Sequence, residues 1–278
     1  MTRAYAFGDT PTASTRLDVL ASVFAPTSLE LLGQVRARVA VPPGGLVVDL
    51  GCGPGHTTAM LAGVFGSARV VGLDTSVAFA AEAASGRGDR RAFAVADAAR
   101  LPLPCAPADV VYARFLCVHL PDPRALVMSW AGEVRPGGIV VVEEPERIDT
   151  EDEDFRRYLE LAAVVVADRG GDLYAGRQLV GLALPPGTVR VVDRCAPLEV
   201  AAGAAASIFA LNLSTWRDDP ALGPVTGPGE TAALLARLED RRLDPSTDVI
   251  RWHMRQVVVR RTAPTGDGRP EASATAPG

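Results

Sequence analysis

The stretch Val47-Val48-Asp49-Leu50-Gly51-Cys52-Gly53-Pro54-Gly55 decides the reading of this chain. An apolar strand passes Asp49 and breaks into three glycines at alternate positions, and an apolar helical segment, residues 57–65, begins at once. Glycine accepts positive φ and lets a ligand approach backbone that a Cβ would shield. Strand, glycine turn and helix in that order build a nucleotide-type cofactor site at the carboxyl end of a parallel strand. A pyrophosphate-binding loop reads G-x-G-x-x-G, with its third glycine packing helix on strand. Here the third glycine comes one residue early, and His56 stands in the reserved place. Pro54 removes an amide donor, and Asp49 would set a carboxylate against any diphosphate. An acid at that point suits a ligand that carries an ammonium group.

With that acid, the segment resembles motif I of the class I S-adenosylmethionine (SAM)-dependent methyltransferases, acid-x-Gly-x-Gly-x-Gly. Three further stretches follow in the family's order. Val70-Val71-Gly72-Leu73-Asp74 is an apolar strand ending in an acid, placed where a carboxylate meets a ribose diol. Phe93-Ala94-Val95-Ala96-Asp97-Ala98 ends in a second acid, which in the family contacts the adenine amine while the next residue offers a backbone N–H. Residues 109–114, the segment Phe115 to His119 and Leu120-Pro121-Asp122-Pro123 look like the fourth strand and loop of the ubiquinone- and menaquinone-biosynthesis type. A helix over 125–134, a Pro-Gly-Gly turn and a strand over 139–143 complete a resemblance covering residues 45–145. It implies an α/β, Rossmann-like, seven-stranded doubly wound sheet with SAM as cofactor. The implied cofactor residues are Asp49, Gly51, Cys52, Gly53, Gly55, Asp74, Thr75, Asp97, Ala98 and Arg114, the last facing the cofactor carboxylate or an acidic substrate.

Composition agrees with a cytoplasmic enzyme. Of 278 residues, 48% are hydrophobic, enough for a large core, yet no run reaches the roughly 18 apolar residues of a membrane span. The first residues lack an apolar signal region. The four cysteines have no C-x-x-C spacing, so buried thiols are expected and no zinc or other metal site. All 28 basic residues are arginine, interspersed with 33 acids to a net charge of −5. A nucleic-acid partner, which needs a basic footprint, is disfavoured.

Residues 1–44 read as an N-terminal arm with two cap helices, 14–24 and 28–39, the second opened by a Thr27–Glu30 capping box. Residues 45–200 form the core, whose sixth strand spans 188–193 and 195–200 with an irregularity at Asp193-Arg194. Residues 201–248 are an insertion with helices at 204–216 and 229–241, a length unlike a bare loop. It reads as a helical lid over the acceptor, with homodimer formation as the alternative role. Residues 249–262 hold the last strand, and 263–278, rich in Pro, Gly, Thr and Ala, read as a disordered tail.

Doubly wound sheets bind ligands beyond the carboxyl ends of their strands, and the candidate proton-handling residues gather there. His119 has an ordinary pKa suited to proton removal near neutrality. Glu143 and Glu144 end the fifth strand and should point to opposite faces, one of them to the pocket. Tyr5, Phe7, Arg16, Phe115 and Trp216 are candidate substrate-wall residues. The chain lacks the Asn/Asp-Pro-Pro-Tyr/Phe motif of amino-methyltransferases, a carboxylate set for a metal, and a protein-recognition domain. The reading is a SAM-dependent methyltransferase of a small-molecule acceptor, a secondary metabolite, with oxygen preferred over nitrogen or carbon. Indole-type C- or N-methylation in the same fold and a non-catalytic SAM-binding regulator are the alternatives.

Overall fold

The computed structural model describes residues 8–86, 88–243 and 248–263. Helix α1 (Pro11–Arg36) leads into β1 (Leu46–Leu50), α2 (His56–Val64), β2 (Arg69–Asp74), α3 (Val77–Ser85) and β3 (Arg91–Val95). Then come β4 (Ala108–Arg114), a 3-10 turn (Cys117–His119), α4 (Pro123–Glu133), the long β5 (Val134–Asp149), α5 (Glu153–Asp168) and the short α6 (Gly176–Leu179). β6 (Thr188–Ala201), α7 (Ala202–Trp216), a 3-10 turn (Pro220–Leu222), α8 (Glu230–Arg241) and β7 (Val249–Arg261) follow. The strands form one sheet in the order β3-β2-β1-β4-β5-β7-β6.

β1 to β5 pair in parallel, and β7 runs antiparallel between β5 and β6. From β1 the chain steps outward through β2 and β3, then returns to lay β4 on the other side of β1. The resulting switch point opens a crevice beyond the carboxyl ends of β1 and β4, where open α/β sheets take ligands. β4 is buried at all seven positions, as a central parallel strand covered on both faces must be. The Rossmann-like reading therefore holds, and the helical insertion lies between β6 and β7.

Two local expectations are corrected. The N-terminal helices are one helix of 26 residues that runs through Pro26. Thr27 Oγ1 donates back to the Phe24 carbonyl, and Glu30 accepts from Gln34 and Arg194, so no capping box forms. The proline deletes a helix hydrogen bond. Phe24, Ser28, Leu31, Leu32 and Val35, all buried, nevertheless keep a continuous stripe that outweighs the loss. β6 is the expected single strand, but its register shift falls at Arg190–Val192, earlier than the irregularity expected at Asp193–Arg194.

α7 is apolar nearly all round and correspondingly buried. It packs with α5 and the N-terminal half of α1 into an aromatic cluster above the sheet. Tyr158 stacks on Phe209 at 4.1 Å between ring centroids, and Phe24 lies 4.9 Å from Trp252. No described helix is long and apolar enough to cross a membrane. The expected tail, apart from Ala263, lies outside the described residues.

Candidate active site

The glycine turn adopts the backbone its sequence demands. Gly51, Gly53 and Gly55 have φ of +65°, +51° and +95°, the left-handed region in which a side chain is strained. A Cβ on Gly51 would also come 2.9 Å from Leu116. The loop's amides are already committed to the protein. Gly51 and Cys52 N–H donate to the Leu73 carbonyl, Gly53 N–H to Asp74 Oδ2 and Gly55 N–H to the Cys52 carbonyl, while Pro54 has none. A diphosphate would find no free donor along residues 51–55. A cationic ligand without phosphate asks for none, so the turn fits SAM by its donor set.

Asp49 was expected beside the ligand ammonium. It lies instead beneath the loop, accepting the Thr57 and Thr58 hydroxyls at 2.6 Å each, and does not line the cavity. Burial raises its pKa to about 6 against those two hydrogen bonds and the nearby Arg114. In this structure its work is to pin the start of α2 to the strand. Gly55 opens α2 against other elements: a Cβ there would come 3.1 Å from Ala83 of α3 and from the Phe93 ring of β3, and it lies outside the cavity lining.

Asp74 and Asp97 do reach the cavity, together with Gly51, Cys52, Gly53, Thr75, Ala98 and Arg114. Asp74 accepts from Gly53 and Ser76 N–H at 2.8 Å, which fixes the carboxylate at the β2 end; burial shifts its pKa upward. Asp97 accepts the Ala99 N–H, and Trp130 Nε1 holds the Ala98 carbonyl at 2.9 Å. Arg114 donates to Ser28 Oγ of α1 at 2.9 Å. Glu143 faces this α1 side, inside the core. Its oxygens accept from Tyr112 Oη and Gln256 Nε2 at 2.8 Å each, so it ties β4, β5 and β7 together and does not line the cavity.

From the loop, a cavity of about 410 Å³ continues under α1, α5 and α7. Phe115 lines it with a φ of +55°, an unusual backbone for a bulky residue. Glu144 holds that bend. It accepts the Leu116 and Cys117 N–H groups at 2.9 and 2.8 Å, and burial pushes its pKa up to about 7. Glu144 thus shapes the turn that carries His119 and is absent from the cavity wall. The expectation that one of the two glutamates faces the pocket is corrected, because both are occupied as structural acceptors.

His119 does line the cavity. Burial holds its pKa far below the ordinary histidine range, at about 3, and Arg16 and Arg169 add repulsion. A base so weak cannot remove a proton from a neutral acceptor near pH 7, so the proton-removing role read from the sequence is not supported. Arg16 also lines this end, only 3% exposed. Its Nη1 donates to Asn212 Oδ1 at 2.8 Å, and Asn212 Nδ2 donates to Tyr158 Oη at 2.7 Å. Trp216 stands behind Tyr158, 5.7 Å between rings, and is not in the wall. Tyr5 and Phe7 lie outside the described residues.

Sequence reasoning passed over Tyr158, Arg169, Asn212 and Trp252, all in the lining. Asn212 did carry a signal, as the one amide in the apolar run Ile208-Phe209-Ala210-Leu211-Asn212-Leu213. Nothing local distinguishes Arg169 from the other arginines.

Residues 48–142 match a family model described as a methyltransferase domain. Among curated proteins, the chain is 38% identical over 144 residues to a trans-aconitate 2-methyltransferase of Methylobacterium radiotolerans, covering 52% of this chain and 55% of the relative. It is 33% identical over 133 residues to the trans-aconitate 2-methyltransferase of Azoarcus sp., covering 45% and 49%. The match thus spans about half the length of these relatives. Among solved structures, a Bacillus halodurans methyltransferase superposes with a TM-score of 0.55 at 15% identity, over 85% of this chain and all of that one. A Haemonchus contortus phosphoethanolamine N-methyltransferase bound to S-adenosylhomocysteine gives 0.51 at 17%, over 90% and 58%. The cyclase SpnF gives 0.51 at 20%, over 84% and 82%. At these identities the solved structures speak for the fold alone. Fold, glycine turn and family match agree: residues 48–142 match a methyltransferase domain, and the fold around them is similar to that of class I, SAM-dependent methyltransferases.

Proposed function

We propose that the protein transfers a methyl group from SAM to an oxygen of a small-molecule acceptor, a secondary metabolite. The observation that carries this reading is the continuity of the cavity. The glycine turn, Asp74 and Asp97 stand at one end, and an enclosed wall from α1, α5 and α7 stands at the other. Bound there, SAM supplies an electrophilic methyl group on a sulfonium that is already a good leaving group.

Asp74 would take the ribose diol, Asp97 and the backbone at Ala98 the adenine edge, and Arg114 the carboxylate. Phe115, Leu20 and Trp252 keep water from the acceptor end. His119 stays neutral near pH 7 and can donate or accept a hydrogen bond there. Catalysis on this account rests on alignment and water exclusion, which in ideal intramolecular cases reach about 7–11 kcal/mol.

The relatives' name makes trans-aconitate one acceptor to try. The same fold also carries a protein named a cyclase, so binding alone does not establish transfer. The test has two parts: calorimetry with SAM, S-adenosylhomocysteine and NAD, then transfer of labelled methyl to an acceptor panel. Micromolar binding of both sulfur ligands, silence from NAD and labelled product are expected. Binding of NAD alone, or SAM binding with no transfer to any acceptor, would sink the reading.

A further inference from the structure

The end of the sheet opposite the cofactor carries a feature that methyl transfer does not use. A groove of about 440 Å³ lies between the end of α1, the turn that opens β5 and the end of β7. Four arginines line it, Arg38, Arg135, Arg260 and Arg261. Arg260 pairs in register with Ile139, Ile139 with Val110 and Val110 with Val47, so the groove sits at the amino ends of the parallel strands. Arg157, Arg169 and Arg255 each have a carboxylate partner, in Glu230, Asp219 and Glu146. In the groove Arg135 has one, the buried Asp109. Among the described residues, Arg38, Arg260 and Arg261 meet no carboxylate. Backbone carbonyls hold two of these three in place. Arg38 Nη1 donates to Gln34 at 2.8 Å, and Arg261 Nη1 to Gly132 and Val134 at 2.9 and 2.8 Å. Each spends one nitrogen on its anchor and keeps Nε and Nη2 for a ligand. Cations gathered on one surface repel one another until an anion sits among them. This patch also runs against the chain's net charge of −5.

We propose that this groove binds a phosphate chain of two or more phosphoryl groups. A guanidinium presents paired N–H donors that match phosphate oxygens in a fork. A single carboxylate has charge for one arginine, whereas a phosphate chain has charge for three. A wider hollow of about 760 Å³ adjoins the groove through Arg261, Thr262 and Ala263, with Met128, Ala131, Pro185 and Pro186 in its wall. It has room for an organic carrier, so a nucleoside polyphosphate and a free polyphosphate are two sources of one chemistry. The groove shares no lining residue with the methyl-transfer cavity. The proposal therefore stands or falls apart from the methyltransferase reading.

Calorimetry on the full chain, saturated with S-adenosylhomocysteine to fill the cofactor end, tests ATP, inorganic tripolyphosphate, adenosine and sulfate. Expected is micromolar binding of ATP or tripolyphosphate at low salt, weakened about tenfold in roughly 0.3 M NaCl, with adenosine and sulfate silent. Arg38→Gln and, separately, Arg260→Gln should weaken that binding about tenfold, the order of one charged hydrogen-bonding partner. S-adenosylhomocysteine affinity should not move in either variant. Arg260→Gln carries the test if Arg38→Gln, which loses its anchor to α1, lowers the melting temperature. Tighter binding of ATP than of tripolyphosphate supports the proposal and gives the hollow to the nucleoside; the reverse supports it with a free chain as ligand. Silence of both phosphate chains at low salt overturns it. So does sulfate binding as tightly as the chains, or an unchanged affinity in both variants. Should S-adenosylhomocysteine not bind, the methyltransferase reading fails and tripolyphosphate alone decides this one.

Discussion

The cofactor end and the acceptor end of this cavity are built on different principles. At the cofactor end the geometry is local: three left-handed glycines, a proline and acids closing successive strands, all between Asp49 and Asp97. At the acceptor end each group comes from a different element. Arg16 is on α1, His119 on the turn after β4, Tyr158 on α5, Asn212 on α7 and Trp252 on β7. A backbone requirement leaves its mark in consecutive residues, whereas a wall assembled by packing leaves none. The two ends should therefore break in different ways, and mutation can separate them.

The largest effect is expected at the turn itself. Gly51→Val forces a branched side chain into positive φ and against Leu116, a strain on the order of 1–3 kcal/mol before any packing cost. SAM binding should disappear in calorimetry and the melting temperature should fall. Retained micromolar affinity would show that the turn does not form the cofactor cradle. Asp74→Ala comes next. Hydrogen bonds to a charged group contribute about 1.5–3 kcal/mol, so SAM affinity should drop about 10–100-fold with the fold intact. An unchanged dissociation constant would move the cofactor away from β2.

Glu144→Gln probes the bend that joins the two ends. In the folded protein Glu144 titrates at about 7, above its ordinary value of 4.5. A raised carboxyl pKa means stability that is full below 4.5 and lost as pH rises through 7. Glutamine keeps an acceptor for the Leu116 and Cys117 amides without the buried charge. Between pH 5 and pH 8 the wild type should lose on the order of 2 kcal/mol more than the variant, read as urea midpoints. Equal losses in the two proteins would show that Glu144 is not the titrating group.

The smallest effect is assigned to Asn212→Leu. It removes the amide that aims Arg16 while keeping the volume. Acceptor KM should rise roughly three- to tenfold, about the worth of one hydrogen bond, with SAM affinity unmoved. A loss confined to SAM binding would place α7 with the wrong ligand.

How much of this was legible follows the same division. Residues 47–55, the strand-ending acids Asp74 and Asp97, and the helical insertion before the last strand are visible in the chain. So is the order of the elements. Asp49 and Glu143 look alike in sequence to ligand-facing acids, and only side-chain direction shows them committed to hydroxyls and amides. The break read at Pro26 failed because a helix of 26 residues can trade one backbone bond for a buried stripe that runs from Phe24 to Val35. Arg169 and Tyr158 gain their meaning from neighbours up to 153 positions away, such as Arg16, and no window along the chain contains both.

That long first helix has a thermodynamic consequence. Along a single rod, Leu17 stands over Gly53, Arg16 enters the acceptor wall and Ser28 meets Arg114. Neighbouring residues of α1 thus belong to the surroundings of both ligands. If SAM binding resettles this helix so that the acceptor binds some factor more tightly, the acceptor must tighten SAM by that same factor. The helix is then a shared lever, and neither ligand can be tightened through it without tightening the other to the same extent.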